Sequence, residues 1–218
     1  MMRTHLSEWM FAMESWNHRL FAVINSPSPF VDAHLHGVVP FLANGLVWLL
    51  PVLLTAIWLR GDQEGISAAV RAGLSALIAL SIAAAIGWLW PHPRPFVMHM
   101  GRLLVAHAPD ASLPSDHLTF WWSITLALAW TRRYHRLGLA LAVLGLTIAW
   151  ARIYAGVHFP ADMTAAFSVS LIAVQIARYC LWPVERPLTR FALWLRRRVA
   201  LNAYWAEGGS RRTNSGEQ

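Results

Sequence analysis

The sequence predicts an all-α fold: a polytopic membrane bundle of about five transmembrane helices, six if the N-terminal amphipathic helix also crosses. Three observations carry this. Hydrophobic residues make up 56% of the 218-residue chain and charged residues only 13%, about half the share of an ordinary soluble domain, which is ~25%. Apolar stretches near the roughly 20 residues needed to cross hydrocarbon recur along the chain, mostly joined by short polar connections. Trp58, Trp88, Trp90, Trp130 and Trp182 fall at the ends of those stretches, where indole rings settle at the membrane–water boundary.

Taken in order, residues 1–30 read as an interfacial helix. Leu6, Met10, Met13, Leu20 and Ile24 follow a helical stripe, while Glu8, Glu14, His18 and Arg19 interrupt any apolar run and argue against a cleavable leader. The transmembrane catalytic domain spans 31–182. Ala33 to Leu59 forms its first span, softly broken by Pro40 and Pro51, and Ile66 to Trp90 its second. The second is rich in small residues (Ala68, Ala69, Gly73, Ala83 to Ala85) that let helices approach closely. Further spans run from Asp116 to Tyr134, Leu137 to Tyr154 and Ala161 to Trp182, leaving Pro91 to Pro114 as the one long loop. The lone cysteine, Cys180, excludes an internal disulfide and any multi-cysteine metal site, and is expected to pack as a small hydrophobe. Residues 183–218 form a basic cytoplasmic tail, expected to be disordered beyond Glu207.

The net charge is +7 and all eighteen basic residues are arginine. Their distribution argues for membrane topology and against a nucleic-acid partner. Arg132, Arg133 and Arg136 share one connection, and Arg186, Arg190, Arg196, Arg197, Arg198, Arg211 and Arg212 lie in the tail. The positive-inside rule makes that side cytoplasmic. The opposite side then holds the N-terminal helix, the Pro91–Pro114 loop and the Arg152–Asp162 turn.

Three polar clusters meet on that opposite side: His92-Pro93-Arg94-Pro95, Pro114-Ser115-Asp116-His117, and Arg152 through His158 to Asp162. Ser115 reads as an N-cap with His117 in the first turn after it. Pro160 suits a first helical position, with His158 just before it and Asp162 in the first turn. Two helix N-termini facing one site favour an anion, phosphate above all. Arg94 and Arg152 add guanidinium forks that match phosphate oxygens. His158 and Asp162, four apart, can share a face, so the carboxylate can fix the imidazole tautomer and leave the other nitrogen nucleophilic. His117 can protonate a leaving oxygen and then activate water. These are the parts for phosphoryl transfer through a phosphohistidine, with no metal or cofactor.

At these residues the chain resembles the type-2 phosphatidic acid phosphatase superfamily. Arg94-Pro95 completes the family's first motif, Pro114-Ser115-Asp116-His117 forms the second, and Arg152-x5-His158-x3-Asp162 fits the third. The resemblance implies His158 as nucleophile, Asp162 as its orienter, His117 as general acid, and Arg94, Ser115 and Arg152 as phosphate ligands. Within the superfamily, LFAVINSPSP, WPHPRPFVMHMG, LPSDH and ARIYAGVHFPADM are similar to bacterial undecaprenyl-diphosphate phosphatases of the bacitracin-resistance type. That likeness implies a polyprenyl diphosphate substrate, membrane lipids as surroundings, and an active site facing the periplasm from the bacterial inner membrane. Three positions depart from the pattern. Gly87 stands where the family has a lysine, Asp116 replaces a glycine, and Ala151 replaces a serine. His92 and Arg102 are candidate substitutes for the lysine, and Asp116 is expected to bond an arginine or the histidine.

Each feature also has a plainer reading. Arg94 alone suits a lipid-phosphate anchor, Arg152 a snorkelling span terminus, and Ser115 a simple cap. His34, His36, His99 and His107 read as interfacial polar residues, and Asp32-x-His34-x-His36 lacks the helical spacing of a known metal motif. The conjunction of three motifs on one membrane side outweighs these separate readings. Two alternatives stay open: the same chemistry on glycerolipid phosphates (phosphatidylglycerophosphate, phosphatidic acid, diacylglycerol diphosphate), and a non-catalytic lipid-binding or transport protein.

Overall fold

Side chains pack around a short central helix rather than around five equal spans. The computed structural model describes the backbone of residues 2–213 and the side chains of residues 14–199. The elements are α1 (Met2–Asn25), α2 (Pro29–Leu35), α3 (Leu49–Arg60), α4 (Gln63–Leu89), α5 (Asp116–Ala129), α6 (His135–Tyr154), α7 (Pro160–Cys180) and α8 (Trp182–Thr213), with no strand among the described residues. Phe41–Arg60, Gln63–Leu89, Arg132–Tyr154 and Pro160–Cys180 are long and apolar enough to cross a membrane, which makes the chain a multi-pass membrane protein.

The expected span from Asp116 to Tyr134 is shorter than the sequence suggested. Thr131 takes an extended backbone (φ −93°, ψ 122°) and ends α5 after 14 residues. That is about 21 Å of helix, against a hydrocarbon core of ~30 Å. Helix α5 is enclosed by α4, α6 and α7, and every residue from Trp121 to Ala129 is buried.

The close approach of these helices depends on small side chains. Ala68, Ala72, Ala76, Ala79 and Ala83 give α4 a buried alanine stripe. On α6, Gly138 faces α5: a Cβ there would lie 2.6 Å from Ala129 Cα and 2.7 Å from Thr125 O. Trp121 Nε1 and Trp122 Nε1 then donate to Leu141 O (2.8 Å) and Ala142 O (3.0 Å), locking α5 to α6. Because the obstacle at Gly138 is backbone, Gly138→Ala should force the two helices apart and destabilise the protein by about 1–3 kcal/mol. A thermal melt in detergent should show the lowered midpoint.

The first expected span is not one regular helix. After α2 come a turn at 36–38, a π-helical turn at Phe41–Gly45 and a 3₁₀ turn at Leu46–Trp48, before α3 begins. The irregular stretch lies between Pro40 and Pro51, neither of which can supply a helical N–H. It leaves Ala43 O and Asn44 Oδ1 available to Arg152, at 3.1 Å and 2.9 Å.

The arginine-rich connections gather at one end. Arg133 pairs with Asp62 (3.2 Å), Arg71 with Glu185 (2.7 Å), and Trp58 Nε1 donates to Ala192 O (3.0 Å). Helix α8 continues to Thr213, through part of the stretch expected to be disordered; residues 214–218 lie outside the described ones. Cys180 is exposed at the end of α7 rather than packed.

At the other end α1 docks through one face. Phe21 is buried, Asn17 Oδ1 accepts from Ala161 N (2.9 Å), and Asn25 Nδ2 donates to Arg102 O (3.0 Å) and Tyr154 O (2.8 Å). Trp16, Leu20 and Val23 are exposed. The helix thus turns an apolar stripe away from the protein, an arrangement suited to a bilayer.

Candidate active site

The connection between α6 and α7 turns tightly at Gly156, whose φ of +81° and contact with the Arg102 carbonyl exclude a side chain. That turn delivers His158 into the interior, where it is 1% exposed. Pro160 opens α7, and Asp162 in its first turn reaches back. Asp162 Oδ2 accepts from Phe159 N (2.8 Å), from His158 Nδ1 (3.1 Å) and from Ser112 Oγ. A carboxylate only accepts, so Nδ1 carries the imidazole proton and Nε2 keeps its lone pair.

Two guanidinium groups converge on that lone pair. Arg94 Nη1 lies 3.0 Å and Arg152 Nη2 3.2 Å from His158 Nε2. Arg94 is held by Asp110 (Nε to Oδ1, 2.8 Å), by Ala111 O (3.1 Å) and by Val157 O (3.0 Å). Arg152, fully buried in the last turn of α6, has only neutral partners: Ala43 O, Asn44 Oδ1, His107 Nε2 (3.2 Å) and His158. Among the described residues no carboxylate lies within ion-pair distance of it. A buried cation without a counter-ion is costly, so the pocket favours an anion. Burial first, then Arg152 and Arg94, hold the His158 imidazole well below its ordinary pKa of 6.5, hence neutral.

The second motif supplies the start of α5. Ser115 sits at the N-cap but makes no capping bond. Its Oγ, Arg152 Nε and Asp162 Oδ1 are buried without a hydrogen-bond partner among the described residues. His117 is half-buried and Asp116 exposed. Asp116 forms no ion pair with an arginine or histidine among the described residues; Asp110 takes Arg94 instead.

Neither candidate for the missing lysine joins this cluster. Arg102 is taken by Asp32 (2.6 Å), bonds Asn25 O through Nε and stacks 4.9 Å over Tyr154. His92 lies edge-on to Phe159 with Nε2 3.8 Å from Glu14 Oε1. Three residues of the long loop enter in their place: His107, Asp110 and Ser112. Sequence reasoning assigned His107 to the interface and gave the other two no role. No motif spacing marks them, because the loop is irregular and its partners lie 16 to 50 residues away.

Known proteins resemble this chain in sequence and in fold. Residues 68–186 match the PAP2 superfamily. The chain is 34% identical over 167 residues to the Escherichia coli (strain K12) protein named "Putative undecaprenyl-diphosphatase YbjG", covering 76% of this chain and 83% of that one. It is 31% identical to undecaprenyl-diphosphatase BcrC of Bacillus subtilis (strain 168), covering 72% and 79%. The crystal structure of Aquifex aeolicus LpxE shares the fold, with a TM-score of 0.59 at 21% identity over 74% of this chain and 94% of that one.

Proposed function

Since the chain belongs to the PAP2 superfamily, we propose that it is an integral membrane lipid phosphatase converting undecaprenyl diphosphate to undecaprenyl phosphate and phosphate. The observation that carries this reading is the buried Arg152, lacking a carboxylate partner and directed with Arg94 at the nucleophilic nitrogen of His158. The names of YbjG and BcrC support the choice of substrate.

In the proposed mechanism the terminal phosphate enters against Arg94, Arg152 and Ser115, and the two guanidinium groups transfer their donors from His158 Nε2 to phosphate oxygens. His158 Nε2 attacks phosphorus, and the bond to the bridging oxygen breaks. His117, held neutral by burial first and then by Arg152 (pKa about 4), gains a proton as the phosphate anion binds. It protonates the bridging oxygen, releasing the polyprenyl monophosphate, then takes a proton from water as the water attacks the phosphohistidine. Asp162 keeps Nδ1 protonated and stabilises the positive charge that develops on the ring. Electrostatic stabilisation of the phosphoryl group by the two arginines supplies most of the rate. The catalytic domain is taken as residues 31–182, flanked by the interfacial helix of residues 1–30 and the basic tail of 183–218. The active site faces the periplasm across the inner membrane, in keeping with the arginines at the opposite end.

Phosphate release by the purified protein in detergent, compared across undecaprenyl diphosphate, phosphatidic acid, phosphatidylglycerophosphate and diacylglycerol diphosphate, tests the assignment. The polyprenyl diphosphate should give the highest kcat/KM. A glycerolipid turned over faster would overturn the substrate, and no release from any of them would overturn the enzyme.

A further inference from the structure

The phosphate pocket described above lacks its family lysine, with Gly87 at that position. A Cβ on Gly87 would lie 3.3 Å from Ala111 Cβ and 3.8 Å from Leu113 O, so the long loop already packs against that point of α4. The same loop carries His107 to Arg152. We propose that His107 is a further phosphate-binding residue of this site, donating from Nε2 as an imidazolium to the phosphate that Arg152 also holds. The inference rests on the phosphatase reading and deepens it.

The geometry is specific. His107 Nε2 and His158 Nε2 each lie 3.2 Å from the same atom, Arg152 Nη2, and the two rings meet edge-on with centroids 6.2 Å apart. His107 Nδ1 lies 3.1 Å from Ala108 O. A carbonyl only accepts, so Nδ1 carries the proton and Nε2 presents a lone pair to Arg152. Both imidazoles therefore share one tautomer and one donor. When a phosphate oxygen takes that donor, His107 Nε2 faces an anion. A lone pair against an oxyanion is repulsive, whereas an N⁺–H forms a charge-assisted bond. Binding of the diphosphate should thus draw one proton from solvent onto His107.

The groups around His107 set the direction of this coupling. Burial first holds its pKa below 6.5. Arg94 from the loop after α4 and Arg152 from α6 act the same way, as do His117 from α5 and His158 from the α6–α7 turn once charged, while Ala108 O and Asp110 act against it. Asp116 at the start of α5 is a second, weaker negative neighbour. The resting ring is neutral, and the bound phosphate supplies the negative charge that reverses the balance.

The test is steady-state kinetics of the full-length protein on undecaprenyl diphosphate across roughly pH 5 to 8, where imidazole titrates. Wild-type KM should rise with pH. His107→Gln, which cannot carry the charge, should raise KM about tenfold at the acid end, as expected for losing a hydrogen bond to a charged group. It should also flatten the pH dependence of KM and change kcat less than KM. His107→Lys, a permanent cation, should restore a low KM that does not vary over the same range. A wild-type KM that does not rise with pH overturns the proposal, whatever the variants do. So does a Gln variant whose KM and pH profile match wild type, or whose loss is confined to kcat. If the wild type releases no phosphate from this lipid, the phosphatase reading itself fails, a result distinct from all of these.

Discussion

Replacing His158 with alanine should reduce phosphate release to background, a loss of at least about 10⁴-fold in kcat by comparison with other enzymes stripped of a nucleophile. No neighbour stands ready to take its place. His107 addresses the same arginine from the side, and its Nδ1 bonds the Ala108 carbonyl at 3.1 Å, with the Asp110 carboxylate farther off at 3.7 Å. The assay is phosphate release in detergent with a chelator present, alongside a melting curve to show that the variant is folded. Activity near the wild-type level would reject a phosphohistidine on this residue. The pH behaviour follows from burial, which with Arg152 and Arg94 keeps the ring neutral. The proposed nucleophile should therefore stay active below pH ~6.5, the ordinary value for histidine. The sign for stability is set by the unfolded chain binding the extra proton. The contribution of this residue is fully present above ~6.5 and is lost as pH falls toward the depressed folded value.

Asp162→Asn should be the second most damaging change, lowering kcat on the order of 10³- to 10⁴-fold while leaving KM nearly unaltered. One oxygen of Asp162 collects three donors: Phe159 N, His158 Nδ1 and Ser112 Oγ. An amide matches that pattern only with its carbonyl, and it brings no negative charge to balance the imidazolium formed during attack. Loss of the corresponding carboxylate in other histidine-dependent enzymes costs a factor of this size. Ser112→Ala removes one donor of the three and leaves the carboxylate in place, so its cost should be nearer tenfold. Measuring kcat and KM for both variants separates the roles. A KM effect larger than the kcat effect in Asp162→Asn would mean that the carboxylate acts on binding instead.

The three polar motifs, the apolar stretches and the opposed arginine-rich ends were legible because each rests on local spacing. Arg152, His158 and Asp162 sit on one helix end, one turn and one helix start, so their intervals of six and four residues survive folding directly. What was not legible depends on where an irregular chain lies. Asp110 holds Arg94, Ser112 completes Asp162 and His107 meets Arg152 through a loop without regular structure. Arg102 looked available as a free cation, but Asp32 of α2 claims it. The length of the third span was not legible for a different reason: residues 116–134 read as one helix, and nothing local marks the extended backbone of Thr131 that ends α5.

That enclosure affects how the enzyme meets its solvent. A bilayer thicker or thinner than a protein's apolar belt tilts, stretches or compresses the helices it touches, at a cost for each ångström of hydrophobic mismatch. Helix α5, which carries Ser115 at its cap and His117 in its first turn, is buried from Trp121 to Ala129 and offers almost nothing for lipid to grip. The outer helices therefore absorb the mismatch, and the helix bearing Ser115 and His117 of the proposed site is mechanically insulated from the membrane in which it works.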